Sequence, residues 1–249
     1  MNNCWKFCLI IPMRNVEKWV DKTIKSVKEQ KEQNYICAIV DDFSTDQTYE
    51  KVKKLTQNDP RFIVTKNNER KYAMKNRIKA IDMCSPDNED VVVTIDGDDW
   101  LTNSNVLTRI RNRYEKKDCL ITYGSYILYP SGLIGDTCFK YSDDVIKNNT
   151  YRETKWGAAQ LRTFKYKLWK KINIDDFKDV NGNYLKMTGD MAFMFPLLEM
   201  AGERQEFISD PLYVYNLKNP INDHKIDNSY QISLEKYIRG KKRYARYNE

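Results

Sequence analysis

The fold of this chain is decided by residues 91–99, whose sequence is VVVTIDGDD. The unbroken run of β-branched residues predicts a buried strand, because branched side chains pack well on a pleated sheet. The acidic residues and the glycine that follow predict a turn, since Asp and Gly favour turn conformations. A buried strand that runs into carboxylates is typical of α/β proteins that bind ligands at the carboxyl ends of their strands.

The part of the chain before this stretch alternates short apolar runs with longer amphipathic ones. The short runs have the composition of strands and lie at residues 7–11, 35–40 and 61–65. The longer segments place apolar residues three and four positions apart, which is the spacing of one buried helix face. These segments are residues 16–27, 48–55 and 72–83. The alternation predicts an α/β fold with a mostly parallel central sheet flanked by helices.

Polar and acidic residues follow the predicted strands. The first strand runs into Pro12, Arg14 and Asn15, the second into residues 41–46, and the fourth into residues 96–99. Because the carboxyl ends of parallel strands meet at the same edge of a sheet, we expect these residues to converge on one rim.

Carboxylates at such a rim favour a divalent metal site. Oxygen ligands suit Mg²⁺ or Mn²⁺, which could connect Asp96, Asp98 and Asp99 to phosphate groups and neutralise a departing diphosphate. The alternative is an ordinary acidic turn, in which Asp98 or Asp99 caps the next helix.

The composition indicates a folded protein with a preference for polyanionic partners. The 249 residues are 41% hydrophobic and 12% aromatic, which is enough to bury a sizeable core. The net charge of +7 favours a nucleotide diphosphate or an anionic membrane surface. The six cysteines form no CxxC pair, so we expect buried free thiols. No run approaches the ~20 apolar residues of a membrane span, so we expect a cytoplasmic location, with peripheral membrane attachment as an option.

The second half of the chain carries weaker patterns and ends in a basic tail. The predicted helices are residues 105–117, 160–172, 188–200 and 233–249. The predicted strands are residues 119–123, 126–129 and 212–215. We divide the chain into a catalytic domain at residues 1–220 and a C-terminal, acceptor-side extension at residues 221–249, made of a loop and a basic helical tail.

Several segments, in this order and spacing, resemble the motifs of family 2 glycosyltransferases, which have the Rossmann-like GT-A fold. They are residues 10–15 (IIPMRN), 40–48 (VDDFSTDQT) and 95–99 (IDGDD). Residues 73–76 (AMKN) are similar to the family's Ala-x-Arg-Asn helix, with lysine in place of arginine. Phe43 and Gln47 stand where the family commonly has glycine, and Met13 stands where an aromatic residue is frequent.

The resemblance implies that the rim binds a nucleotide-sugar donor together with Mn²⁺ or Mg²⁺. The implied donor contacts are Pro12 and Asn15 in the nucleoside pocket, Asp41 or Asp42 on the base, Lys75 and Asn76 near the base or diphosphate, and Asp96 on the ribose. Asp98 would be the principal metal ligand, and Asp96 could share the metal.

Two later segments also resemble functional parts of the family. Asp190 stands where the family has the carboxylate that takes the proton of the acceptor hydroxyl in inverting enzymes, and Gly189 replaces a frequent glutamate. The alternative role for Asp190 is a helix N-cap. The polar loop with the single histidine resembles a C-terminal loop of many GT-A enzymes. His224 would bind the metal and Lys225 would pair with the diphosphate, unless His224 is an ordinary surface residue.

These features predict a metal-dependent, inverting glycosyltransferase that moves a sugar from a nucleotide-diphosphate sugar, UDP-linked in the first instance, to a saccharide or glycoconjugate. A nucleotidyltransferase is one alternative, but no Gly-rich basic loop for a triphosphate is visible between Pro12 and Lys22. The basic, tyrosine-bearing tail suggests two further alternatives, which are glycosylation of a modified nucleic acid and a non-enzymatic nucleic-acid-binding module. A solvated helix end, or one resting on an anionic membrane, would explain the same residues.

Overall fold

The computed structural model of the chain describes residues 5–220 and 228–248. The strands are β1 (Phe7–Met13), β2 (Tyr35–Asp41), β3 (Phe62–Lys66), β4 (Val91–Thr94), β5 (Trp100–Leu101), β6 (Ile121–Tyr129), β7 (Arg162–Lys165) and β8 (Gln205–Asn216). The helices are α1 (Val20–Lys28), α2 (Thr48–Thr56), α3 (Tyr72–Cys84), α4 (Val106–Lys116), α5 (Asp143–Asn148), α6 (Tyr166–Trp169), α7 (Gly189–Ala201) and α8 (Asn228–Arg239), with a 3-10 turn at Ile174–Phe177.

All of the strands form one sheet in the order β3-β2-β1-β4-β7-β6-β8-β5. The first four strands in this order run parallel to one another. β7 pairs antiparallel with both β4 and β6, β6 pairs parallel with β8, and β5 pairs antiparallel with β8. The α/β fold with flanking helices is confirmed, but the sheet is mixed. The βαβ alternation that indicates parallel strands ends at β4, and the later strands join the sheet in either direction.

Helices cover both faces of the sheet. Successive residues of β1 point to opposite sides, so Leu9 and Ile11 belong to one apolar cluster while Cys8 and Ile10 belong to another. The first cluster is covered by α1, α2 and α4, and the second by α3, α7 and α8. Of the cysteines in the described residues, Cys138 is half-buried and the other free thiols are buried.

The predicted helix at residues 160–172 is largely wrong. Arg162–Lys165 form strand β7 between β4 and β6, and only Tyr166–Trp169 are α-helical. Sheet partners that are distant in sequence override the local apolar spacing that suggested a helix. The two strands predicted at residues 119–123 and 126–129 are one strand, β6, whose register shifts on either side of Ser125.

The predicted helix at residues 233–249 is correct only as far as Arg239, where α8 ends. Gly240 follows, and glycine is a poor helix residue. Leu234 and Ile238 of α8 belong to the same apolar cluster as α7, so this helix contributes to the core. The predicted boundary at residues 220 and 221, between a catalytic domain and a C-terminal extension, stays a prediction. Among the described residues, no helix combines the length and apolarity needed to cross a bilayer.

Candidate functional site

The ends of β1, β2 and β4 meet at one rim of the sheet, as the sequence predicts. The backbone N–H of Asp42 donates to the Met13 carbonyl over 2.8 Å. A Cβ atom on Gly97 would lie 2.3 Å from the Cβ of Met13, so only glycine allows the acidic turn to approach β1 so closely. The Thr23 hydroxyl of α1 donates to the Gly97 carbonyl over 3.0 Å and fixes the turn from the other side.

The two aspartates after β2 are both buried. Asp42 accepts hydrogen bonds from the backbone N–H groups of Lys71 (2.6 Å) and Tyr72 (2.9 Å), so its carboxylate holds the start of α3. Asp41 accepts from the Ser44 N–H over 2.9 Å through Oδ1. Its Oδ2 atom is buried and accepts no hydrogen bond from any described residue. A buried carboxylate oxygen without a donor is costly, which makes Asp41 the better placed of the two to accept from a ligand.

The loop after β1 is bonded to the loop after β2. Asn15 has a left-handed backbone (φ 50°), and its side-chain oxygen accepts from the Thr45 N–H over 2.9 Å. Its own N–H donates to the Ser44 hydroxyl over 3.0 Å. Pro12 lies inside β1, next to this connection. Phe43 is also left-handed (φ 61°), a conformation that glycine adopts without strain.

Lys75 and Asn76, on α3, face different surroundings. Asn76 is buried, and its side-chain oxygen accepts from Asn67 over 2.7 Å. Asn67 also donates to Asp42 over 3.0 Å, so Asn76 belongs to the buried network that supports the rim. Lys75 is exposed, with its ammonium 5.4 Å from the centre of the Tyr184 ring.

Asp96 is held by residues that the sequence analysis did not select. Its Oδ1 accepts from Arg77 over 2.8 Å and its Oδ2 accepts from Gln160 over 3.0 Å. The Asp96 N–H donates to the Tyr213 hydroxyl over 2.9 Å. The Asp96 side chain is 32% exposed, so it remains open to a ligand while its orientation is fixed.

Asp98 and Asp99 have different environments. Asp98 is half-buried and accepts from the Asn219 side chain over 2.7 Å. Asp99 is buried and accepts from the Asn216 N–H over 2.8 Å, which ties the acidic turn to the end of β8. Burial raises the pKa of Asp99 well above its ordinary value, and the negative charges of Asp98 and Asp96 raise it further. Asn105 occupies the N-cap of α4, so neither residue caps that helix.

The described carboxylates that could hold a metal at the rim are Asp96 and Asp98. Within residues 5–220 and 228–248, no three His, Cys, Asp or Glu side chains are grouped so that they could hold a metal ion by themselves. Mg²⁺ commonly uses one or two carboxylates and takes further oxygens from substrate phosphates and water, so this donor set fits such an ion. His224 and Lys225 lie outside the described residues.

Asp190 lies in the first turn of α7. Its Oδ2 accepts from the Arg162 guanidinium over 2.8 Å, and its side chain is 30% exposed. The N-cap residue of α7 is Thr188, so Asp190 does not cap the helix. A Cβ atom on Gly189 would lie 3.2 Å from the end of Met74 and 3.5 Å from Arg77, so α7 starts in close contact with α3.

Comparison with known proteins identifies the family. The family model described as Glycosyl transferase family 2 matches residues 8–177, which is more than half of the chain. The chain belongs to glycosyl transferase family 2. This assignment confirms the resemblance of the sequence motifs.

The individual relatives of this family 2 glycosyltransferase are distant. Glycosyltransferase GlyA of Streptococcus pneumoniae is 21% identical over 227 residues, which are 86% of this chain and 31% of that protein. TarS 1-349 of S. aureus in complex with UDP-GlcNAc superimposes with a TM-score of 0.71 at 20% identity, over 94% of this chain and 65% of that chain. The mannosyltransferase PcManGT of Pyrobaculum calidifontis, in complex with GDP-Man and Mn²⁺, superimposes with a TM-score of 0.64 at 18% identity, over 96% of this chain and 66% of that chain.

These likenesses establish the GT-A fold of the glycosyltransferase. The chain spans about a third of the length of the curated relative and about two thirds of the solved structures.

Sequence reasoning missed the buried cations of this glycosyltransferase. The Arg77 side chain is 10% exposed and that of Arg162 is 9% exposed, and each donates to a rim carboxylate. Residue type alone does not separate a buried arginine from a surface one. The helix predicted at residues 160–172 also set Arg162 apart from its apolar face, and neither Arg162 nor Gln160 was selected as a site residue. A correct β7 assignment would have placed Arg162 beside β4, the strand that leads to Asp96.

A cleft of about 700 Å³ lies beside the start of α7 in this glycosyltransferase. Its walls are the start of α3, residues 179–187 and α8. Tyr72, Tyr230 and Tyr237 line it together with amide and charged side chains, so the cleft offers both aromatic and polar surface. Met187 is in its wall, three residues before Asp190.

Proposed function

We propose that this glycosyltransferase moves a sugar from a nucleotide-diphosphate donor, UDP-linked in the first instance, to a hydroxyl of a saccharide or glycoconjugate. We further propose that the reaction needs a divalent metal and inverts the anomeric carbon. The observation that carries the proposal is the arrangement of acids at the rim. Asp96 after β4 and Asp190 in α7 are distant in sequence, yet Gln160 and Arg162, two residues apart, bond to one each.

The donor nucleoside would occupy the loops after β1 and β2. Pro12 and Asn15 would form one wall, and Oδ2 of Asp41, which accepts no hydrogen bond from the described residues, would accept from the N–H of a base. Asp42 and Asn76 would keep this wall in place, because their side chains bond to the start of α3 and to Asn67. This assigns Asp41 to direct contact and the two others to support.

Asp98 and Asp96 would hold the metal, with His224 completing the set and Lys225 beside the diphosphate. The metal, when bound, neutralises negative charge on the departing nucleoside diphosphate. Asn219 supports the assignment of Asp98, because its 2.7 Å hydrogen bond fixes the position of the carboxylate at the rim. The Mn²⁺ in the PcManGT complex is consistent with a metal on this fold.

Asp190 would act as the base. In one displacement, the acceptor oxygen forms a bond to the anomeric carbon as the bond from that carbon to the phosphate oxygen breaks. The hydroxyl proton passes to the Asp190 carboxylate, and the electron pair of the broken bond leaves with the diphosphate. Attack on the face opposite the leaving group inverts the anomeric centre. The cleft that has Met187 in its wall, three residues before Asp190, would hold the acceptor.

The basic tail favours a saccharide over a nucleic acid as the acceptor, because much of its charge is used inside the protein. Arg246 donates to the Glu199 carbonyl over 2.6 Å, and Arg239 donates to the carbonyls of Arg152 and Thr154. Lys241 donates to the Asp175 carbonyl over 3.0 Å. Groups engaged in this way cannot release counterions on binding phosphates, which is the main source of nucleic-acid affinity.

A panel of nucleotide sugars tests the proposal. UDP-GlcNAc, UDP-glucose, UDP-galactose and GDP-mannose are each incubated with the protein and Mn²⁺, Mg²⁺ or EDTA, and release of the nucleoside diphosphate is measured. We expect metal-dependent release from a UDP-sugar. Release from no member of the panel, or equal release in EDTA, would contradict the proposal.

A further inference from the structure

The backbone and the side chain of Arg162 are both anchored by neighbouring residues. Its backbone lies in β7 and pairs with Thr94 of β4, the strand that leads to Asp96. Its Nε donates to the Ala158 carbonyl over 2.8 Å. The guanidinium also lies 5.9 Å from the centre of the Trp156 ring, and only 9% of the side chain is exposed. An arginine anchored in this way has little freedom, so its remaining N–H groups point in a fixed direction.

That direction is towards one oxygen of Asp190. Nη2 of Arg162 donates to Oδ2 over 2.8 Å. Oδ1 accepts no hydrogen bond from the described residues, and the Asp190 side chain is 30% exposed. One oxygen is therefore fixed and the other is left for a ligand. A carboxylate that takes a proton from an acceptor needs this geometry, because misplacement by about 1 Å can cost about 100-fold in rate.

We propose that Arg162 is a positioning residue for the transfer reaction: its guanidinium fixes Oδ2 of Asp190 so that Oδ1 faces the acceptor hydroxyl. The inference rests on the proposed role of Asp190 as the base. Gln160 donates to Asp96 two residues earlier in the chain, so the short segment at residues 160–162 contacts both the base and the donor side of the rim.

A purely structural ion pair between β7 and α7 is the competing explanation, and a double-mutant cycle separates the two. The variants are Arg162→Gln, Asp190→Asn and the double variant, assayed by Mn²⁺-dependent hydrolysis of UDP-GlcNAc and, in parallel, GDP-mannose. Arg162→Gln should lower kcat by about 10- to 100-fold with little change in the donor KM. In the double variant the loss should equal that of Asp190→Asn alone, because Arg162 acts only through that carboxylate. Arg162→Lys should recover part of kcat, since it keeps the charge but not the planar fork.

The control is Arg111→Gln, which removes a largely buried arginine from its ion pair with Glu32 away from the rim. It should leave kcat unchanged. Any of three results would overturn the inference. The losses could multiply in the double variant, kcat of Arg162→Gln could stay close to that of the wild type, or the donor KM alone could rise. If Arg162→Gln does not fold, the cycle is run with Arg162→Lys, whose smaller loss in kcat should likewise disappear in the Asp190→Asn background; a loss that persists there would overturn the inference. If wild-type protein hydrolyses neither donor, the proposed function fails first and this inference fails with it.

Discussion

The buried ion pair between Arg152 and Glu199 gives a stability prediction with a defined size. Glu199, on α7, is fully buried and accepts from the Arg152 guanidinium and from the Tyr244 N–H. Arg152 also donates to the Ile238 carbonyl over 2.7 Å, and its side chain is 3% exposed. The pair therefore joins α7, α8 and the tail.

Glu199→Gln keeps the volume of the side chain but removes its charge, so the Arg152 cation stays buried without a carboxylate. Removal of one partner of such a pair costs about 3 to 5 kcal/mol. That is a large part of the ~5 to 15 kcal/mol by which a domain is stable. With a urea m-value of about 3 kcal/mol/M, the unfolding midpoint should fall by roughly 1 to 1.7 M.

Urea unfolding followed by circular dichroism measures this change. Glu235→Gln is the matched control, because its partner Arg239 lies on α8 and the Glu235 side chain is 39% exposed. An exposed pair of this kind is worth less than about 1 kcal/mol. A Glu199→Gln protein within about 1 kcal/mol of the wild type would refute the view that this pair holds the tail to the core.

Three further predictions concern the rim, the tail and the pH dependence. In the absence of metal, Asp98→Ala should melt at the same temperature as the wild type or at a higher one, because Asp98 adds negative charge near Asp99. A marked fall in melting temperature in a thermal scan would contradict this prediction. Truncation after Ser233 should lower stability and donor hydrolysis together, because Leu234 is part of the core. If the full chain binds anionic vesicles or DNA and the truncated chain does not, the tail instead has a charged partner. The Arg61 guanidinium lowers the pKa of Asp59. The Asp59 carboxylate therefore adds stability above its unfolded pKa, and this stability is lost as the pH falls through its folded pKa. Asp59→Asn should reduce the difference in urea midpoint between pH 6 and pH 3, and an unchanged difference would refute this prediction.

The first half of the fold could be predicted closely from the sequence. β1 was predicted at residues 7–11 and spans Phe7–Met13, and α2 was predicted at 48–55 and spans Thr48–Thr56. In these elements the local apolar spacing and the tertiary burial agree, because each βαβ unit packs mainly against its sequence neighbours. The convergence of the strand ends followed from the same topology.

The second half could not be predicted so well, because its elements depend on distant partners. β7 is a strand only because β4 and β6 lie on either side of it, and its own apolar spacing suggested a helix. The candidate acids Asp96, Asp98 and Asp190 were found from motifs, whereas Arg162 was not, because no local pattern marks an arginine that will be buried. The positioning residues of a site are for this reason harder to predict than its carboxylates.

The most direct test of the central claim compares Asp98→Asn with Asp190→Asn. Isothermal titration with UDP and Mn²⁺ measures nucleotide binding, and diphosphate release from UDP-GlcNAc measures turnover. The account predicts that Asp98→Asn loses metal-dependent binding and turnover together. Asp190→Asn should bind UDP as the wild type does while its turnover falls by about 10²- to 10⁴-fold, because an amide cannot accept the proton. Wild-type turnover in either variant, or loss of UDP binding in Asp190→Asn, would contradict the division of the rim into a metal site and a base.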